Sequence, residues 1–171
     1  MKRISYPSRT KHFAPIGGKR GGFTGVHRWK AADYARLSGT VAPTSSVYFR
    51  SRMEANWARY LEAQRSGRLL VTDRPAVANW IYEPLLFPFD RNRYRANFDY
   101  RPDFLVVFKD GSYEVHEVKA VLDAKSNTKL ARMGRHFPDV PVRIIDWPVY
   151  KSVADKLGPI IADWERRGSE T

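Results

Sequence analysis

Two strand-like stretches, 103–108 and 112–119, flank the tripeptide Lys-Asp-Gly at 109–111. A three-residue loop that ends in glycine is typical of a β-hairpin with a type I turn and a bulge, whose last residue needs a positive φ. Such a loop pairs Phe108 with Ser112 and fixes the register of both strands. Because register decides which side chains share a face, this hairpin constrains the fold more than any other segment.

Counting back from the turn sets Asp103 opposite Glu117, with both side chains on one face. Lys119, two residues further along, lies on the same face. We expect the apolar residues of this face to pack under an upstream helix. A two-residue loop at 110–111 would instead set Asp103 opposite Val118 and scatter the polar group. The apolar residues of the face are Leu105, Val107, Tyr113 and Val115.

The segment upstream of the hairpin predicts a helix over 47–65. It contains no glycine or proline, follows serines that can cap it, and stops at Gly67. At 100° per residue, Glu54 falls at the margin of an apolar arc, which predicts a carboxylate beside a buried seam. The arc consists of Phe49, Met53, Trp57, Tyr60 and Leu61.

The rest of the chain predicts a mixed sheet with helices around it. Ser126 or Asn127 can cap a helix that runs through Arg135. The order of elements is α, several strands, α, β, α, which predicts an α/β fold with a mixed central sheet flanked by helices. The remaining predicted elements are strand pieces at 80–82 and 85–89, a strand at 142–145, and one or two helices over 151–167, interrupted at Gly158-Pro159.

Charge is distributed unevenly along the chain. The formal net charge is +12, yet residues 1–52 hold eleven basic residues and one acid, Asp33, and so carry +10. We therefore expect a flexible basic N-terminal arm over 1–45, followed by a domain over 46–171. A basic arm indicates a polyanionic partner, with nucleic acid before an anionic membrane; the alternative is a solubilising tail.

Composition excludes several kinds of chemistry. The chain has no cysteine, so disulfides, thiolate nucleophiles and cysteine-ligated zinc are ruled out. No apolar run approaches the roughly 20 residues that span a bilayer, and no hydrophobic signal core follows the first residues. We expect a soluble cytoplasmic protein without a membrane partner, since the arm also lacks an amphipathic stripe.

The chemical candidates are Glu54, Asp103, Glu117 and Lys119. Two carboxylates on adjacent strands, with a third from a helix, form a hard oxygen-rich site suited to Mg²⁺ or Mn²⁺. Lys119 can orient or deprotonate an attacking water, or stabilise negative charge. The alternative is a solvated hairpin end. His116 alternates to the opposite face, so we expect an ordinary surface or packing residue rather than a ligand.

Three segments carry a family resemblance: 49–55 (FRSRMEA), 100–104 (YRPDF) and 115–119 (VHEVK). Over roughly residues 47–146 the chain resembles the PD-(D/E)xK nuclease superfamily, and within it the phage branch of junction-resolving and TnsA-like transposon-end nucleases. The resemblance implies an αβββαβ restriction-endonuclease-like core. It also implies that Asp103 and Glu117 bind metal, Lys119 assists hydrolysis, and Glu54 supports the metal site.

The resulting expectation is a Mg²⁺-dependent DNA endonuclease, with branched or four-way-junction DNA in phage DNA processing as one substrate class. If phage-encoded, it would act in the host cytoplasm. A junction-cutting enzyme needs two active sites about an axis, which predicts a homodimer. Alternatives are a restriction or transposon-end subunit active only with a partner protein, and a non-catalytic nucleic-acid-binding protein. The predicted DNA contacts are Lys19, Arg20, Arg50, Arg52, Lys125 and Lys129.

Overall fold

The structure is a computed structural model that describes residues 49–84, 86–89 and 99–166. The predicted arm over 1–45, with Lys19 and Arg20, lies outside these residues. The helices are α1 (Arg52–Arg65), α2 (Ala124–His136) and α3 (Trp147–Leu157). The strands are β1 (Val77–Tyr82), β2 (Phe87–Pro88), β3 (Asp99–Tyr100), β4 (Phe104–Phe108), β5 (Tyr113–Val118) and β6 (Val142–Ile145).

The main sheet has the strand order β1-β4-β5-β6. The pairs β1–β4 and β4–β5 are antiparallel, whereas β5 and β6 run parallel. The parallel pair is joined through α2, because parallel neighbours need a crossover connection. Strands β2 and β3 form a separate antiparallel ribbon. The predicted α/β class, with a mixed sheet flanked by helices, is confirmed.

The central hairpin has the predicted turn and register. Phe108 N–H donates to Ser112 O at 2.9 Å, and Gly111, at φ +85°, occupies the left-handed position that the bulge requires. The register pairs Phe104 with His116, and one residue further it sets Asp103 opposite Glu117. The turn thus places both acids at the same end of the sheet.

The two faces of the sheet pack against different helices. Phe104 and Val106 share a core with α1 and α3, whereas Leu105 and Val107 share one with Met133 of α2. The prediction that the Leu105 face packs under α1 is therefore wrong. All five residues of β4 are buried, so the sequence of this strand carries no polar side that would distinguish its two faces.

Helix α1 begins later than predicted. Ser51 is its N-cap, and residues 49–51 are not helical, so a start at residue 47 is wrong. Phe49 is nevertheless fully buried and contacts Tyr82 edge-on. The helix is buried around almost its whole circumference, because the sheet covers one side and the chain near Glu165 covers another.

The two later helices also begin at residues other than predicted, and each has an aspartate as its N-cap. Asp123 caps α2 and accepts the N–H of Ser126 at 2.8 Å, so neither Ser126 nor Asn127 is the cap. Asp146 caps α3, which starts at Trp147, earlier than the predicted start at 151. The helix ends at Leu157, directly before the predicted interruption at Gly158-Pro159. Strand β6 matches its prediction. None of the helices in the described ranges is both long and apolar enough to cross a bilayer.

Replacing Gly111 with alanine tests the left-handed conformation that the turn assigns to this residue. At φ +85° an L-residue is strained, so Gly111→Ala should lower the free energy of unfolding by about 1 kcal/mol. The matched control is Gly134→Ala in α2, where a Cβ meets nothing within 4 Å. There alanine should stabilise by about 0.5–1 kcal/mol. Urea unfolding of both variants measures the difference, and changes of the same sign would contradict the turn assignment.

Candidate active site

Asp103 lies at the open end of the β4–β5 hairpin, where it is 4% exposed. Its Oδ2 accepts the backbone N–H of Val118 at 2.7 Å, which ties the start of one strand to the end of the other. Its Oδ1 accepts Arg50 Nη2 at 2.7 Å. The hairpin therefore fixes this carboxylate from the backbone, and a side chain that precedes α1 supplies its counter-charge.

Glu117, the partner of Asp103 in register, is half-buried. The hydroxyl of Tyr100, from the β2–β3 ribbon, donates to Glu117 Oε2 at 3.0 Å. Burial raises the pKa of Glu117, while the Tyr100 hydrogen bond and the charges of Lys119 and Lys129 oppose that rise. The Tyr100 hydroxyl thus orients the carboxylate, and the nearby cations, Arg50 among them, reduce the rise of its pKa without reversing it.

Lys119 follows β5 and turns toward the start of α2. Its Nζ donates to Asp123 Oδ2 at 3.1 Å and to Ser126 Oγ at 2.5 Å. The side chain keeps 34% of its surface exposed, so the ammonium remains open to solvent on one side. The α2 N-terminus therefore holds the Lys119 ammonium close enough to Glu117 to influence the pKa of that carboxylate.

Glu54 is anchored at the first turn of α1. Its N–H donates to Ser51 Oγ, whose hydroxyl donates back to Glu54 Oε1 at 3.0 Å, so the pair resembles a capping box. Tyr82 donates to Oε2 at 2.5 Å, and the backbone N–H of Arg50 donates to the same oxygen at 3.2 Å. Both oxygens already accept hydrogen bonds, which suits a carboxylate that supports the site electrostatically.

Asp103 is the acid whose pKa is raised most clearly by its surroundings. Burial, followed by the charges of Glu117 and Glu54, raises the pKa of Asp103 to about 8. The Val118 N–H and the Arg50 guanidinium oppose this rise without cancelling it. The charges of Glu117 and Glu54 therefore disfavour ionisation of Asp103, and an added cation beside Asp103 would oppose that effect.

Four residues of this site were not assigned to it from the sequence. Arg50 was predicted to contact DNA, and it lies among the acids; its Nη2 is 3.1 Å from Glu83 Oε1. Glu83, Tyr82 and Tyr100 were not predicted at all. The four-residue spacing of Arg50 and Glu54 could have suggested their pairing. The other contacts depend on the pairing of β1 and of the ribbon, which no local pattern encodes.

The remaining predicted DNA contacts lie at different distances from the acids. Lys129 on α2 is close enough to influence the pKa of Glu117. Lys125 is exposed one turn earlier on the same helix. Arg52 instead donates to the backbone carbonyl of Arg166 at 3.3 Å. The structure thus brings Lys129 to the site and connects Arg52 to the segment after α3.

His116 is a packing residue of the core, which is one of the two roles predicted for it, the other being a surface residue. Trp57 Nε1 donates to His116 Nδ1 at 3.1 Å, so Nε2 carries the proton and donates to Glu114 Oε2 at 3.0 Å. The ring is 1% exposed, and burial lowers its pKa. The neutral imidazole links α1 to the sheet on the face opposite Glu117.

The donor set fits a hard divalent cation that retains water. In the described ranges, no three or more histidine, aspartate or glutamate side chains are grouped so that they could hold a metal ion by themselves. Mg²⁺ usually keeps several waters and takes only one or two protein carboxylates. Asp103 and Glu117 supply two such groups, and a cation beside Asp103 would oppose the burial and the neighbouring negative charges that raise its pKa.

Comparison with known proteins gave no matching family model, no matching curated protein and no matching solved structure.

The raised pKa of Asp103 predicts how stability depends on pH. Between the ordinary pKa of 3.8 and about 8, the folded protein holds a proton that the unfolded chain releases. The contribution of Asp103 to the free energy of unfolding is therefore greatest below pH 3.8, and it falls as the pH rises toward 8. Asp103→Asn removes this dependence.

Thermal unfolding in EDTA from about pH 5 to about pH 9 measures the effect. The melting temperature of the wild type should fall relative to that of Asp103→Asn as pH rises. The exposed Asp139→Asn serves as control and should follow the wild type. Parallel profiles for the wild type and Asp103→Asn would show that burial and the neighbouring acids do not raise the pKa of Asp103.

Proposed function

We propose that this protein is a Mg²⁺- or Mn²⁺-dependent DNA endonuclease of the PD-(D/E)xK type. The observation that carries the proposal is the hairpin register, which sets Asp103 opposite Glu117 at the end of the sheet where Lys119 follows. The order α1, β1, β4, β5, α2, β6 supports the restriction-endonuclease-like core that the sequence resemblance implies. Burial and the negative charges of Glu117 and Glu54 raise the pKa of Asp103, which supports the proposal that a cation binds beside it.

In this proposal each side chain has a distinct task. A bound divalent cation would neutralise charge on the phosphodiester and lower the pKa of a water. Asp103 and Glu117 would hold the cation, with Tyr100 fixing the orientation of Glu117. Lys119, anchored at the start of α2, would orient the attacking water or stabilise the negative charge that develops on the phosphate. Glu54 would support the site from α1.

The charge distribution supports DNA as the substrate. Residues 1–52 carry +10, and basic groups of this number would bind phosphates in a salt-dependent way. Lys129, close to Glu117, and the exposed Lys125 would continue the basic surface along α2. For a branched substrate we propose a homodimer, since two cuts about an axis need two sites.

Incubation with plasmid and four-way-junction DNA, with Mg²⁺ or EDTA, tests the activity. The wild type should cleave with Mg²⁺ and not with EDTA. Asp103→Asn and Glu117→Gln should lower the cleavage rate by about 100-fold or more, because each removes a group that stabilises charge in the reaction. Asp139→Asn, an exposed position on the loop before β6, should cleave like the wild type. Equal cleavage by Asp103→Asn would remove the catalytic claim.

Lys119 provides a separate test of mechanism. Lys119→Met should slow single-turnover cleavage by about 100-fold, because the group that assists hydrolysis is lost. The variant should bind Mn²⁺ at least as well as the wild type, because a positive charge next to the metal site is removed. Lys151→Met on α3, which also removes a lysine paired with an aspartate four residues later, is the matched control. Full cleavage by Lys119→Met would exclude its assisting role.

The second candidate is a non-catalytic nucleic-acid-binding protein. The Arg50–Asp103 ion pair favours it, because structural ion-pair networks also contain carboxylates with altered pKa values. This candidate predicts salt-dependent DNA binding that is indifferent to EDTA and to Asp103→Asn. A nuclease subunit that needs a partner chain would instead be inert alone and gain metal-dependent cleavage when the partner is added.

A further inference from the structure

Arg50 carries the positive charge nearest to Asp103 among the contacts of the described residues. Its Nη2 lies 2.7 Å from Asp103 Oδ1 and 3.1 Å from Glu83 Oε1, and its Nε lies 3.8 Å from Glu54 Oε2. One guanidinium thus bridges three carboxylates. Its side chain is 59% exposed, whereas that of Asp103 is 6% exposed. The arginine therefore reaches the buried acid from the solvent side.

Glu83 gives the guanidinium a second anchor. This residue has φ +46°, in the left-handed region that side chains other than glycine rarely adopt. Its N–H donates to the backbone carbonyl of Asp103 at 2.7 Å, which holds the strained turn in place. Strained residues of this kind cluster at functional sites. Glu83 is therefore fixed where it can retain Arg50 when the contact with Asp103 is lost.

We propose that Arg50 is the internal counter-ion of Asp103 in the metal-free protein when that carboxylate is ionised, and that a divalent cation displaces it from Asp103 while Glu83 retains it. The inference rests on the proposed function, since it presumes that Asp103 is a metal ligand. A guanidinium and a divalent cation compete for the same carboxylate oxygen and repel one another. The exposed stem of Arg50 allows the exchange without rearranging the buried carboxylate.

The competition makes two variants shift metal affinity in opposite directions. Arg50→Gln removes the competitor, so Mn²⁺ should bind about threefold to tenfold more tightly than to the wild type. Glu83→Gln removes the alternative anchor and leaves Arg50 on Asp103, so Mn²⁺ should bind more weakly by a similar factor. The double variant should bind like Arg50→Gln, because Glu83 acts through Arg50.

Titration calorimetry with Mn²⁺ and the full chain, without DNA, measures these affinities. Arg101→Gln is the matched control: Arg101 lies 3.9 Å from Glu83 and has no ion pair with Asp103, so its loss should change affinity far less. Arg50→Lys, which keeps the charge, should remain closer to the wild type than Arg50→Gln. Circular dichroism checks that each variant is folded, which we expect because Arg50 is exposed and Glu83→Gln keeps the size of the side chain.

The outcomes separate this inference from the proposed function. Unchanged or weaker Mn²⁺ binding by Arg50→Gln, with a wild type that binds Mn²⁺ and cleaves DNA, would overturn the counter-ion role alone. If neither the wild type nor Arg50→Gln binds Mn²⁺ and the wild type does not cleave, both the inference and the metal-dependent function fall. Binding by Arg50→Gln that is tighter than that of the wild type supports the inference.

Discussion

The hydrogen bond from Val118 N–H to Asp103 is the interaction on which the site depends. It closes the end of the β4–β5 hairpin on a carboxylate that is 4% exposed, where burial raises its pKa and adjacent acids raise it further. A carboxylate in that position needs positive charge to ionise. Arg50 supplies part of it, and the remaining imbalance is the physical reason for proposing a divalent cation.

The arrangement also explains why the site lies at an end of the sheet rather than on a face. Both faces are covered, by α1 and α3 on one side and by α2 on the other. The first turn of α1 and the start of α2 both reach the hairpin end, where Glu54 and the anchor of Lys119 lie. The polar groups of two helix N-termini and two strand ends therefore converge without interrupting the apolar core.

Much of this could be predicted from the sequence, because the deciding signals are local. The turn at Gly111 fixed the register, and register brought Asp103 to Glu117. The face that packs against α1 was not predictable, since β4 is buried on both sides. The contacts of Arg50 with Glu83 were also missed: they require the pairing of β1 with β4, which is set by tertiary packing and not by any short motif.

Anomalous diffraction from crystals grown with Mn²⁺ tests the central claim most directly. The account predicts an anomalous peak within coordination distance of Asp103 and Glu117, with the Arg50 guanidinium withdrawn from Asp103. A peak elsewhere, or none at this hairpin end while the Arg50–Asp103 pair stays intact at saturating Mn²⁺, would contradict it.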